Sequence, residues 1–402
     1  MRVWKAPRLL KDWADVSKST GAVLISQELF FNVCLALLIG SLRARLQADL
    51  HFLLFSQRFL GVWSLFTNAA EYATRFNDDD LYHRLWWSGY GVGLVAMVMH
   101  MKDPMHTPRL FIAASFTNAW VGIAFLRAGA SLPRCRVFCL FFGLSMAIGA
   151  ISWYIPSLRE TAVPAVVAPL SACLFASFVP HEHDVPINIE YHAAKFTGVK
   201  MLLLGQPVIA LAISPPPAVG GRIYTFAALS LTLVVAIKLL ILSCDVVPVN
   251  NHAIRQSRPA ALLWLHGSQP ALALAIISVA AGVGAVMEAL SQQGIGGGDA
   301  HVKGPARLLN LSVAGLFVTL AITQALHKST YSSAAILLML LQGVFLAGWG
   351  LWSSGLEYSV VVSCASCLFL LVVLQVCKLN DQAISEDETK EASEMGKHAK
   401  KP

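Results

Sequence analysis

Residues 57–85 read QRFLGVWSLFTNAAEYATRFNDDDLYHRL. The stretch begins as an apolar helix and ends as a dense charged turn. Gln57, Gly61, Ser64, Asn68, Glu71 and Arg75 recur at alternating spacings of four and three. That spacing sets them on one helical face, as a stripe of small and polar groups. Phe59, Leu60, Val62, Trp63, Leu65 and Phe66 fill the remaining faces, which suits lipid or a packed neighbour. A charged group at depth in a bilayer is costly, so such a stripe faces the bundle interior or a wet cavity.

The rest of the chain has the composition that this helix needs around it. Of 402 residues, 56% are hydrophobic and 13% charged, against about 25% charged in a typical soluble domain. Mean hydropathy is +0.61. Apolar runs of about 20 residues recur along the chain, each long enough to cross a hydrocarbon core of about 30 Å. The expected fold is therefore all-α, a polytopic integral membrane bundle of about 12 transmembrane helices. The net charge of +7 sits mostly in loops and tails, the pattern that orients membrane proteins. No basic patch is interleaved with aromatics, so no nucleic-acid partner is expected. The expected partners are the lipid bilayer and an unknown small solute or ion, with a homo-oligomer left open.

Residues 1–20 form a basic arm with Trp4 and Trp13, either a short interfacial helix or a solvated segment, and they carry no cleavable signal peptide. A transmembrane domain over 21–377 follows, with a six-plus-six division near 180–195 as one layout. The tail over 378–402 is poor in apolar residues and reads as disordered. Trp86, Trp87 and Tyr90 open the third span and read as an interface belt. Pro164 and Pro169 predict a kinked or broken sixth span. An even span number puts both termini on one side, and their basic residues favour the cytoplasm. Eight cysteines lie within or beside apolar runs and read as small buried hydrophobes.

Tyr72, Ala73, Arg75, Phe76, Asp79, Asp80, Leu81, Arg84 and Leu85 form a long ordered pattern. It resembles the second helix and following turn of the low temperature requirement protein A family. Two later stretches extend the resemblance. Residues 188–206, NIEYHAAKFTGVKMLLLGQ, are similar to a family segment that places Tyr191, or His192 one position late, on a histidine. Residues 263–276, LWLHGSQPALALAI, place His266 on another. The opening Q-E-L-F-F-N-V, with Glu28, resembles the family's first helix. The resemblance implies a polytopic membrane protein and does not imply a reaction. Asn32, Ala194 and Gln206 stand where the family has acidic residues, so a mechanism that needs a titrating carboxylate there would be lost.

The candidate site residues follow from these readings. The intramembrane stripe contributes Gln57, Ser64, Asn68, Glu71 and Arg75, and the charged turn contributes Asp79, Asp80 and Arg84. Glu28, Glu190, His192, Lys195, Gln206 and His266 are further candidates. Glu71 either carries protons as a buried carboxyl or pairs with Arg75 or Arg58. The aspartates of the turn either hold a cation or cap the third helix. The run His181, Glu182, His183 and Asp184 has zinc-ligand residue types without a recognised zinc spacing, and Cys364 and Cys367 read as packing. No catalytic residue, metal site or cofactor is assigned, because no phosphate loop, hydrolase elbow, zinc-protease pattern or dinucleotide fingerprint is present. The expected function is transport or permeation of a small solute or ion. A non-catalytic accessory or structural membrane protein and an intramembrane enzyme are the alternatives.

Overall fold

The computed structural model describes residues 8–9, 26–77, 81–101, 108–159, 185–213, 221–245, 247–293, 300–327, 332–352 and 360–374, with scattered positions between 161 and 179. It is an all-α bundle. Helix α1 spans Ser26–Asp49 and α2 spans Phe52–Ala73. Helices α3 (Leu81–His100), α4 (Pro108–Ser131) and α5 (Arg136–Tyr154) follow. Beyond them lie α6 (Ile189–Ile213) and α7 (Gly221–Asp245). Helix α8 (Arg258–Leu263) leads through a π-turn, Trp264–Ser268, into α9 (Gln269–Gln293). Helices α10 (Ala300–Leu326), α11 (Ser333–Trp352) and α12 (Val360–Leu374) complete the chain.

Among the described residues, seven helices are long and apolar enough to cross a membrane, counting α8 with α9 as one. Polar residues interrupt the helices over the first three expected spans, such as Glu28, Asn32 and Arg43 in α1. The sixth expected span falls where only scattered positions are described, so the count of twelve, with Pro169, lies outside the described residues. So do Asp79, Asp80, the His181 to Asp184 run and the C-terminal tail. The bundle is turned outward as a lipid-facing protein should be. Leu53, Val92, Met99, Phe178, Tyr224 and Trp352 are large apolar side chains left exposed on the helices, a surface that suits hydrocarbon and not water.

Helix α9 is buried along nearly its whole length, and α11 is mostly exposed. The bundle is thus built around α9, which packs on α1, α6 and α10. The approach of α10 is close enough that a Cβ at Gly282 would lie 2.8 Å from the Leu309 Cα, which only glycine allows. The span Arg258–Ser291 runs without a break but widens at the π-turn Trp264–Ser268. Pro270 has no N–H to give the His266 carbonyl four residues back, and its ring crowds that carbonyl. The turn widens, and the Gln269 N–H reaches the Trp264 carbonyl instead.

One expectation is corrected. Trp86, Trp87 and Tyr90 do not form an interface belt, since all three are buried. The Trp86 indole donates to the Trp120 carbonyl at 2.8 Å, and the Trp120 indole donates to the Trp86 carbonyl at 2.7 Å. A buried indole N–H needs an acceptor, and α3 and α4 supply one to each other. Near the N-terminus, Arg8–Leu9 (β1) pairs antiparallel with Phe76–Asn77 (β2), with Leu9 opposite Phe76. Neither a free arm nor an interfacial helix describes those two residues.

Candidate intramembrane site at the end of α2

The end of α2 is held to the start of α6 by backbone and side chain together. The Asn188 N–H donates to the Thr74 carbonyl at 3.2 Å. The Asn188 side chain accepts from the Tyr191 N–H at 3.1 Å, capping one of the donors that a helix start leaves open. His192, wholly buried, then lies with Nδ1 3.2 Å from the Thr74 hydroxyl. Its ring stacks on Phe196 at 4.8 Å, and Phe196 packs in turn on Trp63 and Phe66 of α2.

This seam fixes a charged centre. One turn before Arg75, Glu71 accepts from the Arg75 guanidinium through Oε2. His192 Nε2 stands 4.0 Å from Glu71 Oε1 and has no hydrogen-bond partner among the described residues. The Arg75 guanidinium lies 4.9 Å from the centre of the Phe138 ring on α5, a cation–π contact. Arg75 Nε is buried without a hydrogen-bond partner among the described residues.

A cavity of about 440 Å³ opens against this centre. Glu71 and Arg75 line it from α2, Phe138 and Phe142 from α5, and Arg255, Arg258 and His266 from the segment around α8. The remaining wall is apolar, from the segment leading into α6 and from α8 itself. His266 reaches the cavity because it sits in the π-turn, and such single widened turns recur at functional sites. Arg258 is oriented by a bond to the Val179 carbonyl at 2.8 Å, and Arg255 by one to the Asn250 side chain at 2.7 Å.

The family model described as "Bacterial low temperature requirement A protein (LtrA)" matches residues 25–375, most of the chain. The chain belongs to this family. No curated protein and no solved structure matches it.

The remaining candidates of this LtrA protein divide among separate surroundings. Asn68 donates to Asn118 of α4 at 3.0 Å, and Ser64 turns back onto the Gly61 carbonyl at 2.7 Å. Gly61 receives the Trp153 ring of α5, since a Cβ there would lie 2.4 Å from it. Gln57 is half-buried in the first turns of α2, about 21 Å along the axis from Glu71. Gln206, where the family has an acidic residue, donates to the Ala36 carbonyl of α1 at 3.3 Å. Lys195 and Asn32 line one small void of about 10 Å³, with the Lys195 ammonium 5.3 Å from the Trp87 ring. Glu190 is half-buried in the first turn of α6, and Arg84 is exposed on α3. Glu28 lies on α1.

A second polar centre escaped the sequence reading. Lys200 of α6 is buried and pairs with Asp245, the last residue of α7, at 2.6 Å. Thr197 donates to the same carboxylate at 2.7 Å. Beside it, outside the spans, two imidazoles sit with centres 4.8 Å apart. His252 Nδ1 accepts from the Ile254 N–H at 3.3 Å, and His327 Nδ1 accepts from the Ala253 N–H at 2.9 Å. Burial pushes His252 down to about 3, helped by His327 and then Lys200. Burial likewise pushes His327 down to about 4, with Asp245 opposing and Lys200 adding. Both stay neutral at ordinary pH and serve as acceptors for the linker into α8. The legible signal was a lysine inside an apolar run, which requires a partner.

Proposed function

We propose that this family member moves a small solute or ion across the membrane, and that the cavity beside Glu71 and Arg75 is where the solute binds. The observation that carries this reading is a cavity of about 440 Å³ with a charged pair on one wall and a π-turn in a helix on another. A site among membrane helices, formed where one helix is irregular and faces a cavity, is the arrangement that solute carriers use. The second reading is a structural or accessory membrane protein. The Asn68–Asn118 and Lys200–Asp245 bonds favour it, because they tie helices together.

The cavity lies at the end of the bundle where α2 finishes and α6 and α8 begin. The β1–β2 bridge places residues 8–9 at that same end. With the basic termini cytoplasmic, the cavity opens toward the cytoplasm. Cysteine labelling from either side of a sealed membrane, on a cysteine-free protein carrying Arg134→Cys, tests the orientation.

The test of the function is a thermal-unfolding screen of the purified protein against ions, protons and metabolites, followed by flux into proteoliposomes. A compound that stabilises wild type, fails to stabilise Glu71→Gln and crosses only wild-type vesicles supports transport. Absence of any stabilising compound, with Glu71→Gln unfolding early, favours the helix-locking reading.

A further inference from the structure

Away from the charged cavity, a cleft of about 580 Å³ runs between α9 and α10. It exists because the facing positions are small: Ala271, Ala275 and Ser278 on α9, Gly304 and Gly315 on α10. Gly315 is the clearest case, since a Cβ built there would meet nothing within 4 Å. Gly61 and Gly282 are pressed by neighbours, whereas Gly315 faces open space.

The cleft is apolar although three hydroxyls line it. Ser278 donates to the Leu274 carbonyl at 2.8 Å, Ser312 to the Leu308 carbonyl at 2.5 Å, and Thr319 to the Gly315 carbonyl at 2.7 Å. Each is spent on its own helix, so the wall keeps no hydroxyl donor for a polar solute. Hydrocarbon is what such a wall accepts. Leu50, Phe52 and Leu311 flank the mouth and are exposed, so the cleft opens sideways toward lipid. Leu50 holds a left-handed backbone, φ 54°, a conformation that costs a leucine about 1 kcal/mol or more. It places the side chain 3.1 Å from the Cβ position of Gly304, at the rim.

One end of the cleft is charged. Arg307 lines it, is exposed, and has no ion-pair partner among the described residues. Lys303, one turn earlier on the same face, is also exposed. From Arg307 to Thr319 the cleft follows α10 for about 18 Å, about the depth of one leaflet, half of a core of about 30 Å. A cation at the rim over an apolar slot one leaflet deep matches a phosphate head with its acyl chain below.

The geometry points to this cleft as a binding site for a single anionic phospholipid, its acyl chain between α9 and α10 and its phosphate on Arg307. The site is independent of the solute cavity. The test is native mass spectrometry of the full-length protein incubated with equal amounts of phosphatidylglycerol and phosphatidylcholine of matched chains. Wild type retains one phosphatidylglycerol in preference. Arg307→Gln lowers that preference about fivefold, the worth of one basic side chain beside an anionic head, with the fold unchanged. Gly315→Leu fills the slot without displacing backbone and abolishes retention of both lipids. Equal retention of the two lipids by wild type, or unchanged retention in Gly315→Leu, overturns the proposal. It is also overturned if wild type sediments as a dimer that Gly315→Leu turns into a monomer, because the cleft is then a subunit interface. Should Gly315→Leu fail to fold, the loss of preference in the surface variant Arg307→Gln still decides the headgroup contact.

Discussion

Two buried ion pairs lie near the same end of this bundle, and they differ in what surrounds them. Lys200 and Asp245 join α6 to α7, and Thr197 donates to the same carboxylate. Glu71 lies in the last turn of α2 and Arg75 just past its end, and their pairing links no two helices. They face a cavity, and Arg75 keeps a buried Nε without a hydrogen bond among the described residues. The difference teaches that burial of charge in a membrane helix does not by itself mark a site. A pair that ties one helix to another is a fastener. A pair with capacity left over and space beside it can take a ligand.

The comparison breaks most directly at Lys200. Lys200→Ala leaves the half-buried Asp245 carboxylate with Thr197 alone and should cost about 3 kcal/mol, read as a lower unfolding temperature or an early midpoint in denaturant. Glu71→Gln should cost less than half of that, since Arg75 retains its place over Phe138 and beside open space. Equal losses would erase the distinction between the two pairs.

Acid sharpens the same contrast. His252 and His327 have folded values pushed below the unfolded value of about 6.5. The unfolded chain therefore binds more protons between pH 6.5 and pH 4, and stability is lost as pH falls through that window. The expected loss is on the order of 3 kcal/mol for each histidine. His327→Gln keeps an acceptor for the Ala253 N–H and removes the proton site, so its stability should vary less over the same range. An identical acid profile in the variant would take the effect away from this pair.

At the cavity, a solute present at about a hundred times its Kd should stabilise wild type by about 2.7 kcal/mol and leave Glu71→Gln unmoved. The smallest effects belong to the rest of the stripe. Asn68→Ala should cost about 1 kcal/mol, the usual worth of a hydrogen bond between membrane helices, and Ser64→Ala close to nothing, because Ser64 bonds only within its own helix. A large loss of solute response in Ser64→Ala would extend the site along α2.

The stripe on α2 was legible as one face because helical periodicity depends on local spacing alone. What each member meets was not legible. Gly61 holds the Trp153 ring, Asn68 meets Asn118, and Glu71 meets a cavity, and all three depend on partners distant in the chain. Trp86, Trp87 and Tyr90 were misread for the same reason. Aromatic residues at a span's end suit a lipid interface, and they suit a crossing between helices equally well. The π-turn could have been read from Pro270, four residues beyond His266. Asp245 closed an apolar run in plain view, but nothing local joins it to Lys200.

The short β1–β2 bridge has a consequence for biosynthesis. Arg8 and Leu9 leave the ribosome well before their partners Phe76 and Asn77, with α1 and α2 still to be delivered between them. Closing so long a loop costs entropy that two pairs of residues alone repay poorly. The stitch can form only after the hairpin of α1 and α2 has folded. The segment made first is therefore locked late, and a bulky domain fused directly ahead of residue 8 would be held beside the turn that ends α2.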